Sequence, residues 1–209
     1  MYNFVIWDFD GTLFDTYPVI AQAYVDELAA IGITEDVEKA SSLLRVFFKT
    51  YEDYLVDTYG MGRLGEDFFV RCRNRRVAAE QKYAEPFDGI IPLCRDIIAA
   101  GGRNVIYTLR DETMFGMFDR FGMRGLFADS IDSRENFPRK PAPDAVLTLL
   151  ERCGADPSSA IMVGDREIDV GSGENAGIHS CLFRAMSYEG THATHIAHDV
   201  AELRQVLLG

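Results

Sequence analysis

Three times in this chain a short apolar run stops abruptly at a loop bearing acids or hydroxyls. Phe4-Val5-Ile6-Trp7 gives way to Asp8-Phe9-Asp10-Gly11-Thr12, Val105-Ile106-Tyr107 to Thr108-Leu109-Arg110-Asp111, and Ala160-Ile161-Met162-Val163 to Gly164-Asp165. A strand with no polar face must be covered on both sides, the condition of a parallel sheet sandwiched between helices. Two weaker runs, Leu126-Phe127-Ala128 with its continuation to Ile131 and Ser180-Cys181-Leu182-Phe183, bring the expected strands to about five.

Helical spacing fills the intervals. Leu93, Cys94, Ile97 and Ile98 precede Gly101-Gly102, and Met114, Met117, Phe118 and Phe121 precede Gly122. The segment Ala142 to Cys153 has Pro143 near its start and Gly154 after its end, the usual asymmetry of helix termini. Strands alternating with helices predict an α/β fold, a doubly wound, mostly parallel, Rossmann-like sheet. Between Thr16 and Tyr83 the pattern changes to helical intervals alone, as in Val19, Ile20, Ala23 and Tyr24, and then Leu43, Leu44, Phe47 and Phe48. Residues 16–83 are therefore expected to form a small inserted α-helical cap, with 1–15 and 84–209 as the core. Pro86-Phe87-Asp88-Gly89 reads as the returning hinge. An insert at this point is expected to act as a lid above the carboxyl ends of the strands, where open α/β sheets bind ligands.

Composition narrows the partners. A formal charge of -12 opposes nucleic acid and anionic membrane surfaces, so a small anion would need a local cation, a lysine or a helix N-terminus to bind. No apolar run approaches the roughly 20 residues a membrane-spanning helix needs. Cys72, Cys94, Cys153 and Cys181 are scattered without a CxxC pair, and Met1-Tyr2-Asn3-Phe4 does not start a secretory signal, so a cytoplasmic protein with reduced thiols is expected.

Asp8 and Asp10 leave a strand end two residues apart, and Gly11 lets the backbone turn close to a ligand. One carboxylate, kept ionised by a cation, can attack phosphorus; the second can protonate the leaving oxygen and later take a proton from water. Thr108 offers a hydroxyl to a phosphate oxygen, and Lys140, kept extended by Pro141, offers a point charge. Together with Gly164-Asp165-Arg166-Glu167-Ile168-Asp169, these pieces lie in the order of the haloacid dehalogenase-like superfamily, which the chain resembles over nearly its whole length. The subgroup most resembled is the phosphoglycolate phosphatase-like set with a helical cap after the first motif.

That resemblance implies a Mg²⁺-dependent hydrolase of small phosphomonoesters, acting on a phosphorylated metabolite through an aspartyl-phosphate on Asp8, with Asp10 as acid and base. It implies catalytic roles for Thr108 and Lys140 and substrate contacts from Gly11, Thr12, Thr108 and Arg110. Metal ligands would come from Asp8, Asp165 and the backbone carbonyl of Asp10, an all-oxygen set suited to Mg²⁺. Asp169 either orients this cluster and its lysine or binds the metal itself. Two positions depart from the family: Leu109 where many relatives have Asn, and Arg166 where Ser or Thr is common. A phosphomutase of the β-phosphoglucomutase type, or an idle binding protein on the same fold, are the alternatives; dehalogenase chemistry has no use for Asp10. Elsewhere, His192, His195 and His198 are expected in a solvated segment, and Arg71, Arg73, Arg75 and Arg76 on a solvated helical face. Phe47, Phe48, Tyr51 and Tyr54 are expected in the core of the insert.

Overall fold

The computed structural model describes residues 1–209. Its elements in chain order are β1 (Phe4–Trp7), β2 (Phe14–Asp15), α1 (Tyr17–Ala30), α2 (Val37–Val46), α3 (Phe48–Tyr59), α4 (Met61–Leu64), α5 (Phe68–Tyr83), β3 (Glu85–Pro86), α6 (Ile90–Ala99), β4 (Arg103–Tyr107), α7 (Met114–Phe121), β5 (Phe127–Ile131), α8 (Asp144–Cys153), β6 (Ala160–Gly164), α9 (Glu167–Asn175), β7 (His179–Phe183), β8 (His195–Ala197) and α10 (Val200–Leu208). They divide into two compact units, Met1–Phe14 with Pro86–Gly209, and Asp15–Glu85.

In the first unit six strands form one sheet in the order β5-β4-β1-β6-β7-β8, and every neighbouring pair is parallel. Numbered among themselves, these strands run 3-2-1-4-5-6, the doubly wound order, with the switch point at β1. All four residues of β1 are buried. Phe4 and Ile6 join Val105, Tyr107 and Met162 against Ala145, Val146 and Leu149 of α8. Trp7 turns to the other face by strand alternation, and its indole N–H donates to Asn104 Oδ1 (3.0 Å). The Asn104 amide in turn donates to the Cys94 carbonyl of α6 (2.9 Å), so the polar groups buried under the sheet are paired.

The fold class expected from the sequence is the one observed. The differences are local. β8 is a sixth strand, three residues long, in the histidine-bearing stretch expected to be solvated. Its His195 ring lies 2.7 Å from the Tyr2 hydroxyl, while the exposed His198 pairs with Glu202 one helical turn on. Leu126 belongs to a 3₁₀ turn ahead of β5, and α8 begins at Asp144 with Pro143 just before it.

The second unit is helical. Tyr17, Ile20, Ala21, Tyr24 and Leu28 of α1 face a core with Ala40, Leu44, Tyr51, Leu55, Phe68 and Cys72. Phe48 and Tyr54 pack against that core, the place expected for these aromatics. Asp36 caps α2 by accepting from the backbone N–H groups of Glu38 (2.7 Å) and Lys39 (3.1 Å), a device worth about 1 kcal/mol. In the basic run, Arg71 and Arg75 are only partly solvated: their Nε–H groups donate to the two oxygens of Glu27 at 3.0 and 2.6 Å. No helix is long and apolar enough to cross a membrane.

Candidate active site

The switch point places Asp8 after β1, Thr108 after β4 and Asp165 after β6 on three adjacent strands, at the carboxyl end of the sheet. The loop beyond β1 is set by sequence. Phe9 turns down, fully buried and stacked on Phe14 with ring centroids 4.8 Å apart, and its carbonyl accepts from Leu13 (3.0 Å) and Phe14 (3.1 Å). Gly11 takes φ 77°, in the left-handed region that favours glycine, and donates its N–H to the Phe14 carbonyl at 2.8 Å. Thr12 is fully buried in this turn and its hydroxyl has no hydrogen-bond partner.

Lys140 is the hub. Its ammonium has three donors and uses each: Asp8 Oδ1 at 2.7 Å, Asp169 Oδ1 at 2.8 Å and the Tyr107 carbonyl at 2.8 Å. The side chain is fully buried, and the Lys140–Pro141 peptide is cis. Burial works against its charge, but Asp169 and Asp8 hold its pKa above the ordinary lysine value. Burial pushes the Asp8 carboxyl up to about 6, against the pull of Lys140, and the charge of Asp169 adds to the rise.

Asp169 has both oxygens committed. Oδ1 accepts from Lys140, and Oδ2 accepts from the Arg166 backbone N–H (3.1 Å), where Asp169 reaches back over the first turn of α9. Room for that reach comes from Gly164, whose hypothetical Cβ would lie 2.3 Å from both Cβ and Cγ of Asp169. Gly164→Ala is therefore expected to push Asp169 off Lys140, costing about 1–3 kcal/mol in a denaturant titration and lowering turnover at least about tenfold. Native stability and activity in that variant would show that Asp169 does not need its seat.

Across the sheet, Thr108 Oγ1 accepts the backbone N–H of Arg110 (3.1 Å), leaving the hydroxyl proton to be donated elsewhere. The Arg110 guanidinium, expected to face substrate, lies on Asp10: Nη2 to Oδ1 at 2.5 Å and Nε to Oδ2 at 3.2 Å. Neither this pair, nor the Tyr107 carbonyl under Lys140, nor the steric need for Gly164 was read from the sequence. The only advance signal was the glycine that ends β6 ahead of two aspartates.

A divalent metal fits this donor set. Carboxylate oxygens of Asp8, Asp165 and Asp169, all buried, lie within 4.8 Å of one another. Asp8 Oδ2 is buried and has no hydrogen-bond partner. A buried, unpartnered carboxylate oxygen is costly unless a cation or a reacting centre meets it. Hard, all-oxygen coordination is the habit of Mg²⁺ and Ca²⁺.

The sequence pattern of the haloacid dehalogenase-like hydrolases matches residues 2–177. Pyrophosphatase PpaX of Halalkalibacterium halodurans is 26% identical over 189 residues, covering 86% of this chain and 82% of that protein. Phosphoglycolate phosphatase of Aquifex aeolicus is 26% identical over 187 residues, covering 85% and 83%. A solved hydrolase from Streptococcus pneumoniae TIGR4 shares 28% identity with a TM-score of 0.72, covering 99% of this chain and 98% of that one.

Proposed function

We propose, from the premise that this chain belongs to the haloacid dehalogenase-like hydrolase family and is a phosphatase, that it hydrolyses small phosphomonoesters of the phosphoglycolate kind through an aspartyl-phosphate on Asp8. The observation that carries the reading is the state of Asp8. One oxygen is fixed by a buried lysine, and the other is buried and unpartnered at the switch point of the sheet.

In the first half-reaction Asp8 Oδ2 attacks phosphorus, the P–O bond to the alcohol breaks, and Asp10 gives its proton to the departing oxygen. In the second, Asp10 takes a proton from water as the water oxygen attacks phosphorus, the bond to Asp8 breaks, and phosphate leaves. Thr108 donates its hydroxyl to a phosphoryl oxygen. Lys140 holds Asp8 in line and offsets its charge. Asp169 acts through Lys140, since both of its oxygens are taken within the protein. Mg²⁺ held by Asp8, Asp165 and the Asp10 carbonyl would neutralise phosphoryl charge when bound.

The test is phosphate release from a panel containing phosphoglycolate, sugar phosphates, pyrophosphate and p-nitrophenyl phosphate, with Mg²⁺, with Ca²⁺ and with a chelator. Release with Mg²⁺, abolished by chelation and poorly restored by Ca²⁺, which takes longer bonds and more ligands, is expected. Equal rates with both ions would refute the Mg²⁺ site. Turnover of a sugar phosphate without phosphate release would replace the hydrolase by a mutase.

A further inference from the structure

We propose that Arg110 is a positioning residue, which fixes the direction of the Asp10 carboxylate and does not bind substrate; this rests on the reading of Asp10 as acid and base. A guanidinium is a planar fork. Through Nε and one Nη it can grip both oxygens of a carboxylate at once and stop its rotation, as a lysine cannot. Here the two bonds, 2.5 and 3.2 Å, go to different oxygens of Asp10.

The fork is itself held. The Arg110 side chain is 2% exposed, its Nη1 donates to Thr113 Oγ1 (3.4 Å), and its guanidinium carbon lies 5.2 Å from the centre of the Phe9 ring. Its backbone is pinned at both ends: the N–H donates to Thr108 Oγ1 (3.1 Å), and the carbonyl accepts from Ser133 (2.9 Å). Thr113 is fixed in turn by donating its hydroxyl to Asp111 Oδ1 (2.6 Å). A chain of contacts thus runs from the β4 loop to a carboxylate on the β1 loop, while Asp10 itself keeps 16% of its side-chain surface open. An arginine that bound substrate would need an open face; this one is covered, and its Nε and Nη2 both donate to Asp10.

Kinetics separate the two roles. Arg110→Ala is expected to lower kcat on phosphoglycolate by about 10²-fold, the cost of misplacing a reacting group by an ångström, with KM unchanged within a factor of about three. Arg110→Lys keeps the charge but not the fork, and is expected to recover less than guanidinium ion added to Arg110→Ala. In an Asp10→Asn background, Arg110→Ala is expected to change kcat less than about twofold, because the two act as one unit. A rise in KM with kcat unchanged, or an undiminished loss in the Asp10→Asn background, would overturn the proposal. If Arg110→Ala fails to fold, Arg110→Lys in both backgrounds answers the same question. Should Asp10→Asn be as active as the native protein, the acid–base reading fails and the role of Arg110 goes with it. If Asp10→Asn is impaired and Arg110→Ala is not, only the Arg110 assignment is lost.

Discussion

Asp8→Asn is expected to lower turnover by about 10⁴-fold or more, and to leave the metal-free protein more stable than the native one at neutral pH. The amide keeps an oxygen that can accept from Lys140, so the three-way seat of the ammonium survives. It cannot form an acyl-phosphate. The stability effect follows from the carboxyl held up to about 6 by burial, well above the ordinary aspartate range. A group that binds its proton more tightly folded than unfolded makes the fold weaker as pH rises through that window, at roughly 1.4 kcal/mol for each pKa unit. Asparagine carries no such penalty. Melting curves in chelator at pH 4, 5, 6 and 8 should therefore show the variant gaining on the native protein up to about pH 6 and holding a constant lead above it. A folded Asp8→Asn protein with a tenth or more of native activity would end the covalent mechanism, and a lead that did not grow with pH would mean that Asp8 carries no burial penalty. The pairing of lost activity with gained stability is the mark of a residue kept for chemistry at a cost to the fold.

What the sequence made legible follows from how each feature is encoded. β1, β4 and β6 announce themselves because a strand covered on both faces has no room for a polar residue, so its end is a sudden change in composition. Asp8, Thr108 and Asp165 stand at those ends, and a parallel sheet with its switch point at β1 sets them side by side. β8 was hidden for the opposite reason. Only Ala197 of its three residues is buried, and an edge strand that short has no period to detect. The α8 boundary slipped because a proline in helical conformation just outside a helix looks in sequence like one just inside it.

The contacts that give the site its character were not encoded locally. Lys140 meets Asp8 across 132 positions, and Arg110 meets Asp10 across 100. Residue types led to the expectation of a lysine and an arginine in the site. Geometry was needed to show that one braces Asp8 and the other grips Asp10. The crowding at Gly164 was equally out of reach, since it exists only once α9 has turned Asp169 back over the strand end.

Asp10→Asn is expected to trap the reaction halfway. In the proposed mechanism the two half-reactions ask opposite things of one carboxyl: a proton for the departing alcohol, then removal of a proton from water. The neighbouring amide keeps the shape and one acceptor for Arg110 while removing both transfers. With p-nitrophenyl phosphate the first step needs little help, because p-nitrophenolate is a stable anion. The second step loses its base whatever the substrate, so phospho-enzyme should accumulate. In a rapid-quench experiment p-nitrophenol is expected to appear in a burst approaching one equivalent per active site, followed by a steady rate about 10²–10⁴-fold below native. Phosphoglycolate, whose alkoxide leaves poorly, is expected to show slow turnover without a burst, since the first step is then crippled too. A variant, folded by circular dichroism, that handles phosphoglycolate at the native rate would remove Asp10 from the chemistry. Slow release of p-nitrophenol with no burst would place the defect in the attack of Asp8, and would point to Asp10 as a support for the nucleophile and not as the base for water.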